Sequence, residues 1–187
     1  LIGGHGSDTL SGNGGDDILQ AGAGADHLFG GEGNDTYRVI GRDDLANDHI
    51  SDTSGDQDKI DYIGEDQLRL TRFDSNNGID IIDVNERSIV GSSDADHLDF
   101  SNVTFADDNQ VINLSHGDDF VQGGEGNEQL IGGGGADTLS GNGGDDLLQG
   151  GSGSDRLFGG EGNDTYRAIG RDDLANDHIS DTSGDQD

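Results

Sequence analysis

Cysteine, proline, methionine and tryptophan are all missing from this 187-residue chain, and most of these absences exclude something. Without cysteine there is no disulfide framework and no thiolate site for zinc or iron. Without proline the chain is not collagen, although 35 of its residues are glycine. Aromatic residues make only 5% of the chain, so a large aromatic core is excluded. No apolar run approaches the ~18 residues that a membrane-spanning helix needs. Positive charge is scarce as well. Nine basic residues face 40 acidic ones, a formal charge of −31 that repels nucleic acid and anionic membrane alike.

Two readings fit what remains. Leu, Ile, Val and Phe together make about 22% of the chain, close to the ~20% below which chains stay disordered. Either the chain is an acidic coil, or it folds with cations doing work that a large core does elsewhere. The internal organisation decides for the second.

The sequence repeats at two scales. Residues 1–58 match residues 130–187 at 50 of 58 positions, at an offset of 129. The second copy stops at Asp187, the equivalent of Asp58, and the expectation is a portion of a longer tandem array. The finer period is nine. Gly3-Gly4-His5-Gly6-Ser7-Asp8-Thr9-Leu10-Ser11 is followed in frame by units starting at 12, 21 and 30. Their sixth positions are Asp8, Asp17, Asp26 and Asp35, and their eighth are Leu10, Leu19, Leu28 and Tyr37. A second run has frames starting at 105, 114, 123, 132, 141, 150 and 159. Its sixth positions are Gln110, Asp119, Glu128, Asp137, Asp146, Asp155 and Asp164, and its eighth are Ile112, Val121, Leu130, Leu139, Leu148, Leu157 and Tyr166. A solvated coil has no reason to hold one large apolar residue in place through seven units.

Each unit has a glycine-rich half suited to tight turns and an apolar half suited to a short strand whose eighth side chain points inward. Two units make one turn of a flattened solenoid, with parallel strands stacked ~4.8 Å apart around a thin aliphatic core. That core is insufficient by itself. One buried Leu or Ile contributes ~1.5–3 kcal/mol, against ~1–2 kcal/mol of backbone entropy for each of nine residues. Stacked aspartates add repulsion. Hard divalent cations meet the deficit, because carboxylates and turn carbonyls supply oxygen ligands. Calcium suits such a site better than magnesium, since it accepts 6–8 oxygens in irregular geometry. The expectation is a chain that is disordered without calcium and ordered with it.

The pattern GGxGxDxUx, with U a large apolar residue, resembles the RTX (repeats-in-toxin) calcium-binding nonapeptide family. The resemblance covers residues 3–38 and 114–167 well, covers 43–62 and 91–113 loosely, and omits 64–90. It implies an all-β, right-handed parallel β-roll with several Ca2+ ions held between loops on consecutive turns. In the family one loop offers the carbonyls of its second and fourth residues with its sixth-position Asp. The loop eighteen residues on offers its first and third carbonyls with its own Asp. Gly4, Gly6 and Asp8 would thus meet Ala21, Ala23 and Asp26, and Asn13, Gly15 and Asp17 would meet Gly30, Glu32 and Asp35. In the second run Gly133, Gly135 and Asp137 would meet Gly150, Ser152 and Asp155, and Asn142, Gly144 and Asp146 would meet Gly159, Glu161 and Asp164. Asp119 would join them as a further ligand.

Some units depart from the pattern. Glu128 replaces Asp, with an extra methylene that displaces or weakens its site. The 105 unit has Asp108 for Gly and Gln110 for Asp, and is expected to be a capping turn without a complete site. The 91 unit keeps only Asp96 and Leu98. The chain therefore divides into a first roll over 1–63 with degenerate turns, a segment over 64–90, and a second roll over 91–187. Within the second roll, 91–113 is a degenerate lead-in, 114–167 is regular, and 168–187 begins the next degenerate segment.

Between the regular runs, Asp48-His49-Ile50 and Asp58-Lys59-Ile60 read as degenerate solenoid strands, and the acidic stretch Arg42–Asp44 either holds calcium or is a solvated loop. Residues 66–84 read as a hairpin that covers the end of one roll. Leu68, Leu70 and Phe73 face Ile79, Ile81, Ile82 and Val84 across Asp74-Ser75-Asn76-Asn77-Gly78, whose Asn-Gly step favours a hairpin turn. Asp74, Asn76 and Gly78 do not make an EF-hand, which needs a glycine at its sixth position and a glutamate at its twelfth. The six histidines are scattered and do not suggest zinc.

No catalytic constellation is legible: there is no HExxH, no GxSxG and no GxxxxGK[ST]. The chain is expected not to be an enzyme. The leading expectation is a calcium-dependent structural repeat of a secreted or surface-bound bacterial protein, such as an adhesin or fibre extender, placed outside the cell. Adjacent repeats of the same chain are its expected neighbours, with self-assembly between chains left open. The alternatives are a carboxy-terminal module of a secreted protease, lipase or alginate epimerase, and a carbohydrate-binding module. The resemblance also implies type I export.

Overall fold

The computed structural model describes residues 1–40, 45, 47–53, 55, 57–168 and 176–181. The acidic stretch Arg42–Asp44 and most of 168–187 lie outside the described residues. Among the described residues there is no helix, and the paired strands run parallel in stacked sheets, an all-β parallel β-roll.

The chain forms two compact units. The first comprises Leu1–Arg69, Ser75–Arg87 and Asn102–Asp107. One of its sheets runs in the order Ile2–His5, Ile18–Ala23, Thr36–Val39, Lys59–Tyr62, Ile81–Asp83, Thr104–Phe105. The other runs Thr9–Gly14, His27–Glu32, His49–Ser51. Alternate strands fall in opposite sheets, as two nine-residue units per turn require. Register is kept by the apolar positions: Leu10 stands opposite Leu28, and Leu19, Tyr37 and Ile60 stack in line. All five are buried.

The second unit comprises Leu70–Asp74, Ser88–Ser101 and Asp108–Asp187. Here Ile89–Val90, Gln110–Asn113, Glu128–Gly134, Leu147–Ser152 and Thr165–Tyr166 form one sheet. Arg72–Phe73, His97–Asp99, Phe120–Gln122, Thr138–Gly143, Arg156–Glu161 and His178–Ser180 form the other. Ile112, Leu130 and Leu148 stack in one column, and Val121, Leu139 and Leu157 in a second, each at 0% exposure.

Such columns leave no slack for a missing side chain. Leu148→Ala is expected to cost about 2–5 kcal/mol, the range for a leucine truncated in a packed core. Ile18→Ala, at a residue 46% exposed, should stay within ~0.5 kcal/mol. Denaturant midpoints in saturating calcium check both.

Two expectations are corrected. Residues 66–84 do not form a hairpin. Arg72–Phe73 pairs in parallel with His97–Asp99, while Ile81–Asp83 pairs in parallel with both Lys59–Tyr62 and Thr104–Phe105. The Asn77-Gly78 step is a solenoid corner instead, with Gly78 at φ 87° and the Asn77 carbonyl accepting from Asp52 N–H at 2.7 Å. A parallel rung buries Ile79, Ile82 and Val84 on an existing sheet, where an isolated hairpin would leave both edges open. The 105 unit, likewise, is an interior rung rather than a cap. Gln110–Asn113 lies between Ile89–Val90 and Glu128–Gly134, paired on both sides. Its Gln110 side chain is buried and donates to the Val111 carbonyl at 3.0 Å, so the rung closes without a carboxylate.

Candidate metal centre

The glycine-rich halves form the corners between strands. Positions two and four of the regular units hold positive φ, except in the unit that starts at Gly123, and this is why glycine recurs there. Asn13 at 73° and Asn142 at 74° occupy second positions, a conformation asparagine tolerates better than most residues. With the corners so turned, the sixth side chain is directed along the stack.

There it makes one contact repeatedly. In the first unit the Asp8 N–H donates to Asp26 Oδ1 at 2.7 Å and the Asp17 N–H to Asp35 Oδ1 at 2.8 Å. In the second unit the Asp119, Asp137 and Asp146 N–H groups donate to Oδ1 of Asp137, Asp155 and Asp164, each at 2.9 Å. Every such carboxylate therefore ties one turn to the turn before it. Its other oxygen is a different matter. The Oδ2 atoms of Asp8, Asp26, Asp35, Asp119, Asp137 and Asp146 are buried and receive no hydrogen bond. Six buried anionic oxygens without a donor are costly unless a cation or a proton occupies the space they face.

Those oxygens do not stand alone. Beside the Gly3 Cα, Asp8 Oδ2 and the Ala21 carbonyl oxygen converge, 2.7 and 2.5 Å from where a side-chain Cβ would sit. Asp17 Oδ2 and the Gly30 carbonyl converge in the same way at Gly12, both at 2.6 Å. Asp137 Oδ2 meets the Gly150 carbonyl at Gly132, and Asp146 Oδ2 meets the Gly159 carbonyl at Gly141. In each of the four loop pairs implied by the resemblance, an oxygen of one loop and a carbonyl of the next turn thus share one small space. A side chain on the first glycine would displace both.

The remaining implied residues lie in the same corners. Gly4 stands opposite Gly22, and the Gly6 N–H donates to the Ala23 carbonyl at 2.9 Å. Asn13 stands opposite Gly31, and the Gly15 N–H donates to the Glu32 carbonyl at 2.6 Å. Gly133 stands opposite Gly151, and the Gly135 N–H donates to the Ser152 carbonyl at 2.9 Å. Asn142 stands opposite Gly160, and Gly143 opposite Glu161, with Gly144 completing that corner. The third-position carbonyls of Ala23, Glu32 and Ser152 therefore already accept one hydrogen bond, leaving a second lone pair each.

Burial pushes the Asp35, Asp119, Asp137 and Asp146 carboxyls upward. Asp119 is held at about 6, and Asp137 and Asp146 at about 7, by loss of solvent more than by neighbouring charge. Glu128 is pushed up to about 8 by burial and then by the Asp146 charge. Its longer side chain folds back onto its own loop, where Oε2 accepts from the Gly124 N–H at 3.2 Å. Asp96 is satisfied similarly, since Oδ2 accepts from the Ser92 N–H at 2.6 Å. The Glu128 and Asp96 loops thus satisfy their own carboxylate, whereas Asp8, Asp26, Asp35, Asp119, Asp137 and Asp146 keep Oδ2 without a donor.

The ladder also runs through residues outside the nonapeptide frame. Asp26, Asp35, Asp58, Asp96 and Asp155 N–H groups donate to carboxylates of Asp48, Asp58, Asp80, Asp119 and Asp177 at 2.7–3.0 Å. The frame missed Asp48, Asp58, Asp80, Asp96 and Asp177 as ladder members because their turns contain 22 or 23 residues. One signal marks them all: each is followed, two residues on, by Ile or Leu, the feature by which Asp48, Asp58 and Asp96 read as degenerate strands and which Asp80 and Asp177 share. Nothing comparable marks Asp52. Its carboxylate oxygen lies with those of Asp35 and Asp58, all within 4.8 Å of one another, and all three residues are buried.

A family model for the RTX calcium-binding nonapeptide repeat matches residues 2–37, 106–139 and 131–166, together more than half of the chain. No curated protein and no solved structure matches significantly. The buried Oδ2 atoms and the carbonyls beside them fit a hard, oxygen-seeking cation such as calcium.

Proposed function

The chain belongs to the RTX calcium-binding nonapeptide repeat family, typical of secreted bacterial proteins, and from that premise we propose that it is a calcium-dependent extender of a secreted or cell-surface protein. The observation that carries this reading is the ladder of buried carboxylates whose Oδ2 atoms lack a donor. A fold with so many uncompensated anions, and a formal charge of −31, has little reason to persist where calcium is scarce. Inside a cell it would remain an extended coil suited to export through a type I system. Outside, calcium would occupy the loop pairs and the strands would stack. The near-identity of segments 129 residues apart favours a tandem spacer over a single accessory module. Its work is mechanical, without a catalytic step, and its length and stiffness would depend on calcium.

Far-ultraviolet circular dichroism and hydrodynamic radius, followed through a calcium titration after chelation, test the reading. A coil that contracts into β-structure with calcium, and not with equal magnesium, is the expected result. A chain that is compact and β-rich in excess chelator at about pH 8, where the ladder carboxyls are charged, would sink it.

A further inference from the structure

We infer that the end of the first regular run carries a cation site of a different kind, built by Asp35, Asp52 and Asp58 and filled before the nonapeptide sites. The inference rests on the calcium-dependent reading above and adds a donor, Asp52, that lies outside every nonapeptide.

Asp35, Asp52 and Asp58 are 0%, 9% and 1% exposed, and one carboxylate oxygen of each lies within 4.8 Å of the others. The hydrogen bonds around them account for most of the oxygens. Asp35 Oδ1 accepts from the Asp17 N–H and Asp58 Oδ1 from the Asp35 N–H. Asp52 Oδ1 accepts from the Thr53 N–H at 2.7 Å and the Gly31 N–H at 3.3 Å. Asp52 Oδ2 accepts from the Tyr37 hydroxyl at 2.6 Å. Asp35 Oδ2 is left buried without a donor. It converges with Asp52 Oδ2 and the Tyr37 Oη beside the Gly30 Cα. At Gly3, Gly12, Gly132 and Gly141 the next turn brings a main-chain carbonyl to this place. Here it brings a carboxylate.

Among the described residues no ion pair reaches the group: Arg38 pairs with Asp61 at 3.4 Å and Lys59 with Asp83 at 2.7 Å. Tyr37 explains how the third carboxylate is held. It stands at the eighth position, where the preceding units have leucine, and its hydroxyl accepts from the Gly30 N–H at 2.8 Å while donating to Asp52. The same device recurs in the second unit, where the Gly159 N–H donates to Tyr166 Oη at 2.9 Å and Tyr166 donates to Asp181 at 3.4 Å. Three carboxylates attract a divalent oxygen-seeking cation more strongly than two, and ligand charge is a main determinant of calcium affinity.

The test counts Ca2+ bound per 187-residue chain by native mass spectrometry, with affinities from competition against a chromophoric chelator. Asp52→Asn should bind one ion fewer and weaken the tightest phase by about tenfold or more. Tyr37→Phe, which keeps all three carboxylates, should keep the ion. An unchanged count and unchanged tight phase in Asp52→Asn would overturn the site and mean that a proton lies between Asp35 and Asp52. If Asp52→Asn does not fold in calcium, terbium added to the wild-type chain decides. The chain has no tryptophan, so the first equivalents should luminesce on tyrosine excitation and lose that emission in Tyr37→Phe/Tyr166→Phe. Dark first equivalents overturn the proposal. A chain that binds no calcium at all sinks the calcium-dependent reading itself, a result distinct from either of these.

Discussion

In excess chelator, β-structure is expected to increase as pH falls from about 8 toward about 4, the reverse of ordinary acid denaturation. The reason is the direction in which burial moves the ladder carboxyls. Asp58 and Asp119 are held at about 6, Asp137 and Asp146 at about 7, and Glu128 at about 8. Their ordinary values are 3.8 for aspartate and 4.5 for glutamate. A carboxyl whose folded value lies above its unfolded one stabilises the fold fully below the unfolded value, and that stability is lost as pH rises through the folded value. The window therefore spans ordinary carboxyl titration up to about pH 8, the highest value among these groups. Asp83 works the other way, since its hydrogen bond to Lys59 lowers it, but its contribution is lost only as pH falls below the ordinary aspartate range.

With calcium present the slope should reverse, because protons and the cation compete for the same buried oxygens. Circular dichroism across a pH series, with chelator and with calcium, should give curves of opposite slope. Calcium binding near pH 7 should also release protons, detectable as a dependence of calorimetric heat on buffer ionisation enthalpy. Loss of structure on acidification in chelator would show that the ladder carboxyls do not control folding.

Gly153→Ala is expected to destabilise the calcium-bound fold by at least ~3 kcal/mol, against ~1 kcal/mol for Gly15→Ala. Both glycines occupy the fourth position of a unit and both hold positive φ, 142° and 91°. They share the conformational penalty and differ in what stands beyond the Cα. A Cβ on Gly15 meets nothing within 4 Å, whereas a Cβ on Gly153 would fall on the Gly135 carbonyl oxygen. That oxygen is backbone of the preceding turn and cannot swing aside as a side chain would. It is also one of the carbonyls that the family pattern assigns to the ion held with Asp137. The variant should therefore need more calcium for half-maximal folding, as well as less denaturant to unfold. Equal midpoints for the two variants would mean that the turns stack less closely than described.

The regular runs were legible because their determinants are local. A leucine at every eighth position and an aspartate at every sixth specify side-chain direction within nine residues, whatever lies farther along the chain. Hence Leu139 and Leu157 are found in register, and Asp137 and Asp155 in contact. The hairpin reading of 66–84 failed for the opposite reason. An Asn-Gly step suits a hairpin turn and a solenoid corner alike, and the apolar run Ile79, Ile81, Ile82 and Val84 does not reveal which strand lies alongside. Pairing with Lys59–Tyr62 is a through-space choice.

What the sequence by itself determined is the repeating strand and corner, the inward column, and the sixth-position aspartate with its demand for an oxygen-seeking cation. Those follow from periodicity, from glycine at positive φ and from the cost of stacked charge. Only the tertiary structure decided which carboxylates join the ladder once the turns lengthen to 22 or 23 residues, as for Asp48, Asp58, Asp96 and Asp119. It also decided that Asp52 returns to Asp35 through the Tyr37 hydroxyl. Loop length does not alter the 4.8 Å rise between stacked strands, so residues far apart in sequence arrive at the same height, and spacing along the chain no longer reports it.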